Sequence, residues 1–239
     1  MDTVDVGTLL IVAAEAREFT GLRRRCRRET RLKWPVRFAR AAELNGRRVV
    51  LVANGEGAAL AGEACEVAWN KQRAEAILST GFCGGLDPAL GAGDVLVASR
   101  VEAPDGRLSV QARAPECERP HASGRLFSVD RVIQTVQEKR RLRTLGGSAV
   151  EMEALAVGHR AAHWGVPFYC VRCITDLAEE GFRLDFNAAR AKDGRLITSR
   201  IVWAAARRPA ALVPELYQLY RRSRLAARTL GDFLADCRF

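Results

Sequence analysis

The sequence is poor in several features, and each scarcity excludes a class of protein. No apolar run approaches the roughly 18–20 residues that a membrane-spanning helix needs, so no transmembrane segment is predicted. The first apolar stretch follows acidic rather than basic residues, unlike a secretory signal, and we expect a cytoplasmic protein. Aromatic residues are few and scattered, and no segment resembles a nucleic-acid-binding module, so no nucleic-acid partner is expected.

Metal-binding and disulfide patterns are also missing. The seven cysteines are odd in number and dispersed, which argues against an oxidised framework. Cys170 and Cys173 form a C-x-x-C in a strand-like run, where alternation sends them to opposite faces, so buried thiols are favoured over zinc ligands. His159 and His163 are four residues apart but lack the H-E-x-x-H pattern. The sequence therefore predicts no metal site.

Lysine is scarce, although the chain is strongly basic. Only four of the 38 basic residues are lysines, and with 28 acidic residues the net charge is +10. Such a field attracts phosphates, nucleic acid or anionic lipid, but the charge is spread along the chain, which favours a solvated surface. Apolar residues make up 48% of the 239. That size and composition predict one globular domain over residues 1–239, with a C-terminal helical extension from about 195.

Strand and helix signals alternate along the chain. A buried strand at 8–14 precedes a helical pattern at 15–28, and Asn45-Gly46 joins two apolar runs as a predicted hairpin. A strand at 75–81 leads into a glycine-rich turn, GFCGGL, and the polar residues 102–124 suggest a long mobile loop. The alternation predicts an α/β fold, a three-layer α/β/α sandwich with a central mixed sheet.

Acids or glycines follow four of the predicted strands. They are Glu15 and Glu18, the segment Gly81–Gly84, the pair Glu151 and Glu153, and Asp176. Ligands in open α/β sheets gather at the carboxyl ends of strands, so this convergence predicts a functional site at one sheet edge.

Two glycine-rich segments leave alternatives open. G-E-G at 55–57 opens a helix, but its spacing to Gly62 departs from G-x-G-x-x-G, which favours a turn that approaches a small ligand over dinucleotide binding. Successive N–H groups of Gly81–Gly84 can hold an anion or a polarised water, or they form a tight turn without a ligand. Cys83 lies in this turn, but nothing in the sequence brings a histidine to it as a base.

Three segments resemble a known family. STGFCGGLDPALGAGDVLVAS, AVEMEALAVGH and VPFYCVRCITD are similar to the nucleoside phosphorylase and nucleosidase superfamily, which includes 5′-methylthioadenosine/S-adenosylhomocysteine nucleosidases. The similarity spans Leu9 to about Asp176. GGLDPALGAGD and the segment that begins KDGRL look like the hopanoid-associated branch, whose members are thought to remove adenine from adenosylhopane. The resemblance implies an enzyme that cleaves the glycosidic bond of a purine nucleoside, a 5′-substituted adenosine.

The resemblance also implies roles for single residues. Glu153 is expected to bind the ribose 2′- and 3′-hydroxyls, Met152 to lie against the ribose face, and Glu151 to be structural. Asp176 matches the acid that protonates purine N7, and burial should keep its pKa high enough to hold a proton. The other implied substrate contacts are Phe127 and Val129, which frame the base, and the glycine turn with Gly81, Cys83 and Gly84.

The attacking group is water or phosphate. Glu18 aligns with the glutamate that activates water in nucleosidases, and Glu15 is the reserve. Many phosphorylases carry R-V-G where this chain has Ser79-Thr80-Gly81, which disfavours a conventional phosphate site, although Arg17 offers a cation. We favour hydrolysis by a small margin, with phosphate as the alternative co-substrate and no other cofactor. The relatives also lead us to expect a homo-oligomer, either a dimer or a hexamer.

The predicted C-terminal helix, about 210–236, has an apolar face with arginines largely off it. Packing on the core is the simpler interpretation, and the alternative is a basic face that meets anionic lipid, which suits a lipid-tailed substrate. The rival to catalysis is a nucleoside- or nucleic-acid-binding protein that keeps the fold. Intact Glu18, Glu153 and Asp176 argue against that rival.

Overall fold

The computed structural model describes residues 7–191 and 197–239. The sequence KDGRL at 192–196, and with it the predicted start of the C-terminal extension, lies outside the described residues. One sheet contains ten strands: β1 (Leu9–Ala13), β2 (Arg27–Arg31), β3 (Phe38–Leu44), β4 (Arg47–Ala53), β5 (Ala76–Gly85), β6 (Val95–Glu102), β7 (Ser109–Gln111), β8 (Ala122–Ser128), β9 (Ala149–Glu151) and β10 (Phe168–Asp176).

Within residues 7–191 and 197–239, six helices accompany the sheet. They are α1 (Thr20–Arg23), α2 (Ala58–Lys71), α3 (Val136–Thr144), α4 (Ala154–His163), α5 (Thr198–Arg207) and α6 (Pro209–Ala235), and a 3₁₀ turn at Ala16–Phe19 precedes α1. Within the part of the chain that the structure describes, no helix is both long enough and apolar enough to cross a membrane.

The sheet is mixed, as predicted. Its strand order is β10-β6-β8-β9-β5-β1-β4-β3-β2, with β7 paired to β6. β1 lies parallel to β4 and β5, and β5 lies parallel to β10, so the carboxyl ends of β1, β5 and β10 meet at one edge. Because β10 also pairs with β6, the strands β5, β9, β8, β6 and β10 close into a ring. The acids that follow β1 and β10 therefore face the glycines of β5.

Alternation along the strands divides the core into two halves. Leu10 and Val12 point to a cluster with the inner faces of α2 and α4, whereas Leu9 and Ile11 point to a cluster with Phe19 and α6. Helices therefore cover both faces of the sheet, which confirms the predicted three-layer sandwich. Cys170 and Cys173 fall in opposite clusters and are free thiols, as their spacing predicts.

The Asn45-Gly46 hairpin between β3 and β4 is confirmed. Both turn residues have positive φ, 51° at Asn45 and 80° at Gly46. These are the dihedral signs that a two-residue turn requires if its twist is to match that of the strands. The antiparallel register between β3 and β4 runs from Leu44 opposite Arg47 to Phe38 opposite Ala53.

Three local predictions are wrong. Residues 27–31 form the exposed edge strand β2 rather than the end of a helix, because pairing with β3 satisfies their backbone. The glycines of GFCGGL do not form a turn, since β5 continues through Gly85 while pairing with β10 and β9. The expected loop at 102–124 contains β7, which extends the sheet beside β6.

The predicted C-terminal helix forms, and its last two turns are part of the core. Leu230, Phe233 and Leu234 are at most 1% exposed and pack with Phe19 and Leu22. α1 and α6 approach very closely at Gly21 and Gly231. A Cβ on Gly231 would lie 2.2 Å from the backbone of Gly21 and Leu22.

We expect Gly231→Ala to destabilise the protein by about 1–3 kcal/mol, the usual cost of overpacking, because the obstructing atoms are backbone. Urea unfolding followed by circular dichroism measures this change. Gly62→Ala in α2 is the matched control, since its Cβ would meet only the flexible guanidinium of Arg160. We expect the control to match or slightly exceed the wild type through better helix propensity. Equal stability of both variants would contradict the close helix contact.

Candidate active site

A cavity of about 910 Å³ opens where the carboxyl ends of β1, β5 and β10 meet β9. This volume suits a ligand the size of a nucleoside with a substituent. The inner wall carries the predicted acids, and the outer wall comes from α1, α5, α6 and the segments that follow β8 and β10. The predicted inner-wall residues that line it are Glu15, Glu18, Cys83, Gly84, Glu151, Met152, Glu153 and Asp176.

Glu18 is held by backbone donors on two elements. The 3₁₀ turn after β1 brings its carboxylate to β5, where the Phe82 N–H donates to Oε1 at 2.9 Å and the Glu15 N–H donates to Oε2 at 2.8 Å. Gly81, with φ of 141°, makes room, since a Cβ there would lie 2.5 Å from Glu18 Oε1. Burial raises the pKa of Glu18, although these N–H donors and Arg172 oppose the rise.

A buried ion pair supports the second acid. Arg172 and Glu151 are each 1% exposed, and Arg172 Nη2 donates to Glu151 Oε2 at 2.7 Å and to Ser79 Oγ at 2.8 Å. The same Glu151 oxygen accepts the N–H groups of Glu153 and Ala154 at the start of α4. Glu151 therefore fixes the backbone from which the Glu153 side chain projects, which matches the structural role expected for it.

Glu153 faces the cavity and also reaches the start of α2. The Gly57 N–H donates to its Oε1 at 2.6 Å. Burial, with Glu151 as a further contributor, raises the pKa of Glu153 to about 8. The backbone donor of the G-E-G segment is thus engaged by a protein carboxylate, a contact that does not serve a dinucleotide. Met152 lines the cavity beside Glu153.

Asp176 ends β10 on the opposite side of the inner wall. Its Oδ2 accepts a hydrogen bond from Lys139 Nζ at 2.5 Å, and its Oδ1 accepts one from Thr175 Oγ1 at 3.1 Å. Gly84 lets the carboxylate approach β5, because a Cβ there would lie 2.8 Å from Oδ2. Burial raises the pKa of Asp176, in the predicted direction, and Lys139 opposes that rise.

The structure does not bring every predicted contact to the cavity. Val129 lies on its wall, but Phe127 is 2% exposed and packs with Leu86, Leu142 and Val150 in a separate core cluster. Because its ring is packed into this cluster, Phe127 does not reach the cavity wall, unlike Val129, which follows the end of β8, so the placement of Phe127 against the base is corrected here. Gly81 serves through the space it leaves for Glu18 rather than through the cavity wall.

Cys83 lines the cavity, and the cation that opposes the rise of its pKa, Arg172, is already paired with Glu151. Burial raises the pKa of Cys83 well above the usual range of a thiol, so it stays protonated and apolar in character. Among the described residues, no cluster of three or more histidine, cysteine or acidic side chains has the arrangement of a metal site.

Sequence reasoning missed three charged residues at or directly behind the inner wall. Arg172, inside an apolar strand, and Lys139, on α3, are buried cations that contact the site acids. Glu56 lines the cavity next to Glu15, and the two carboxyl groups interact. Burial is the main cause that raises the pKa of Glu15 to about 7. An arginine amid apolar strand residues was the one available signal, since a charge there needs a buried partner.

The outer half of the cavity is apolar with a basic rim. Its apolar side chains from α5 and α6 are Ile201, Leu216, Tyr217, Leu219, Tyr220 and Leu225, joined by Phe182 and Phe186. The arginines that line it are Arg17, Arg24, Arg131, Arg190, Arg221, Arg224 and Arg228. Of the apolar set, Tyr217 and Tyr220 are about 60% exposed, so the apolar surface continues from the cavity to the outside.

Comparisons with known proteins give one family and one fold. The sequence pattern of the phosphorylase superfamily matches residues 8–129 and 102–207. A 5′-methylthioadenosine/S-adenosylhomocysteine nucleosidase of Staphylococcus aureus is 27% identical over 172 residues, which cover 61% of this chain and 75% of that protein.

Solved structures share the fold at lower identity. The nucleosidase of the same name from Neisseria meningitidis, in complex with methylthio-immucillin-A, has a TM-score of 0.74 at 19% identity and covers 96% of this chain and 97% of its own. A futalosine hydrolase mutant of Helicobacter pylori has a TM-score of 0.73 at 16% identity, covering 97% and 98%. The chain therefore belongs to the phosphorylase superfamily, the nucleoside phosphorylase and nucleosidase superfamily that its motifs resemble, and is an enzyme of that kind.

Proposed function

We propose that this enzyme hydrolyses the N-glycosidic bond of a 5′-substituted adenosine and releases adenine. The observation that carries the proposal is the placement of Glu18, Glu153 and Asp176 around one cavity at the carboxyl ends of the strands. Each of the three side chains is held by hydrogen bonds, so the wall is preorganised for charge that develops in the transition state.

The three acids divide the chemistry of an oxocarbenium-like cleavage. Asp176, whose burial favours the protonated form, donates to N7 so that the purine leaves as a neutral base. Glu153 accepts the ribose hydroxyls, and these bonds strengthen as the ring becomes cationic. Glu18 orients water below C1′ and takes its proton, a task suited to a carboxyl group whose pKa burial has raised.

Two features favour water over phosphate as the nucleophile. The Glu18 carboxylate already accepts the Phe82 N–H of the glycine-rich segment, so an anion there would meet a negative charge. Arg17, the cation considered for phosphate, has a side chain 61% exposed and is paired with Glu15. Phosphate as a co-substrate is therefore the less supported alternative.

Glu18→Gln should lower kcat for adenine release by about 10²–10⁴-fold, the usual contribution of a general base, because the amide cannot take the water proton. Free adenine is followed from 5′-methylthioadenosine with and without phosphate, and substrate affinity is checked by calorimetry. Glu15→Gln, from the same turn, is the matched control and should retain most of the rate. A wild-type rate that depends on phosphate, or a larger loss in Glu15→Gln, would overturn the assignment.

The rival function is nucleoside binding without catalysis. Under that alternative, calorimetry would detect nucleoside binding while no adenine forms under any condition. The pairing of Arg172 with Glu151 and the preserved acids speak for turnover. Cytoplasmic location, predicted from the acidic residues ahead of the first apolar stretch, and a homo-oligomeric state, predicted from the resemblance, both stay predictions.

The apolar lining of the outer half of the cavity suits a substrate with a large apolar 5′ substituent. With the ribose bound at Glu153 and the base at Asp176, the apolar wall supplied by α5 and α6 is the part of the cavity available to the 5′ substituent. Adenosylhopane, the compound that the hopanoid-associated resemblance suggests, is a substrate of this kind, and a role in hopanoid biosynthesis follows from it. Arginines at the rim would remain outside such a ligand.

We expect kcat/KM to be higher for 5′-decylthioadenosine than for 5′-methylthioadenosine, because each buried methylene contributes about 0.8 kcal/mol. Leu219→Asn, on the cavity wall, should reduce this preference severalfold. Val213→Asn, on the same helix but 54% exposed and off the wall, is the matched control and should leave it unchanged. If kcat/KM did not rise with the length of the 5′ alkyl chain, the proposal of a large apolar 5′ substituent would be overturned.

The exposed apolar residues of α5 and α6 beside the cavity suit contact with an anionic membrane. Val202, Trp203, Val213 and Tyr217 are each more than half exposed on α5 and α6, and Arg207 stacks on the Trp203 ring at 3.4 Å. Removing 208–239 is a poor test of this contact, because it would delete the core residues Leu230 and Phe233. Point variants on the surface are needed instead.

We expect co-sedimentation with vesicles of phosphatidylcholine and phosphatidylglycerol that weakens with salt, and a blue shift of fluorescence that is absent in Trp203→Phe. Arg207→Glu with Arg221→Glu should abolish binding. Lys71→Glu with Arg73→Glu, at the end of α2 on the other face of the sheet, makes the same charge change and should bind nearly as the wild type does. Equal loss of vesicle binding in the two double variants would show that the attraction is nonspecific.

A further inference from the structure

Lys139 is a buried lysine in contact with the proposed general acid. It lies on α3, is 1% exposed, and donates to Asp176 Oδ2 at 2.5 Å and to the Leu177 carbonyl at 2.6 Å. The Phe182 ring lies 5.7 Å from its ammonium group. Burying a lysine costs free energy unless its charge is compensated. A lysine at this place therefore requires a partner of opposite charge.

This contact changes the chemistry expected of Asp176. A general acid must hold a proton, yet an adjacent ammonium favours the carboxylate. Two groups in such close contact titrate as a pair rather than separately. The pair with one proton to share exists as ammonium and carboxylate or as amine and carboxylic acid, and either form still contains the proton that N7 needs.

Other charged groups near Asp176 do not offer an alternative proton source. Glu180, which follows β10, and Arg222, on α6, are paired with each other. Cys83, on β5, is kept protonated by burial. Among the described residues, Lys139 is the cation that is hydrogen-bonded to Asp176.

We propose that Lys139 is a positioning residue that acts through Asp176 and supplies the proton that Asp176 passes to the purine. As the glycosidic bond breaks, its electron pair goes to the purine, the Lys139 ammonium passes its proton to the Asp176 carboxylate, and Asp176 passes a proton to N7. The pair is then a neutral amine and a carboxylate. After adenine leaves, the pair regains one proton by exchange with solvent, which balances the proton that Glu18 took from the attacking water. This inference rests on the proposed function.

The test compares pH profiles of kcat in the wild type, Lys139→Met and Lys139→Arg. Without the lysine, the proton for N7 comes from Asp176 alone. The kcat of Lys139→Met should therefore be within a few-fold of the wild-type value near pH 6, where Asp176 still holds that proton. It should fall at least 10-fold behind by about pH 8.5, because its basic limb moves to lower pH. KM should change little in comparison with kcat.

Lys139→Arg separates proton supply from charge. A guanidinium keeps the positive charge but does not release its proton, so it holds Asp176 as a carboxylate. We expect this variant to be slower than Lys139→Met near pH 6. A wild-type profile in Lys139→Arg, or an unshifted basic limb in Lys139→Met, would overturn the proposal.

A second substrate guards against loss of folding. p-Nitrophenyl riboside has a leaving group that departs without a proton, so its hydrolysis should survive in Lys139→Met but not in Glu18→Gln. Loss of activity toward both substrates in Lys139→Met would indicate a structural role and would overturn the proposal. If the wild type released neither adenine nor p-nitrophenol, the proposed function itself would fail, an outcome distinct from an unchanged pH profile.

Discussion

The buried pair of Arg172 and Glu151 is the interaction on which the site depends. Arg172 ties β10 to Ser79 on β5 and to Glu151 on β9, and the bonded Glu151 oxygen holds the first backbone amides of α4. Replacing such a pair by apolar residues is often neutral, whereas removing one partner typically costs about 3–5 kcal/mol. The pair is better understood as the device that fixes where Glu153 points than as a source of net stability.

The site brings more carboxyl groups together than an apolar wall tolerates in ionised form. Burial raises the pKa values of Glu18, Glu153 and Asp176, and the two buried cations oppose the rise at selected positions. Arg172 is paired with Glu151, next to Glu153, and Lys139 is paired with Asp176. In the proposed mechanism, the acids at these two places act on the ribose and on the base, a division of roles that paired acid and base chemistry near neutral pH requires.

Local sequence signals predicted most of the fold and the sheet edge at which the site lies, but not the buried cations that contact its acids. Asn45-Gly46 set a hairpin, and acids after strands marked the edge where Glu18, Glu153 and Asp176 meet. The errors come from contacts distant in sequence. Lys139 joins a residue 37 positions away, and β2 forms because β3 offers it an edge, neither of which a local pattern encodes. Phe127 does not reach the cavity although the resemblance names its segment, because its ring packs with Leu86, Leu142 and Val150, contacts that a local pattern does not encode.

α6 contributes both to the core beside Glu18 and to the outer part of the cavity. Its C-terminal half packs in the core against α1 and Phe19, next to the 3₁₀ turn that presents Glu18. Its N-terminal half is largely exposed and contributes Leu216, Tyr217 and Leu219 to the apolar wall of the outer cavity. Under the proposed function, substitutions there would alter which 5′ group is accepted, while the acids stay in place. A fold arranged in this way can change its substrate by changing one face of one helix, because the chemistry is held by strands on the other side of the cavity.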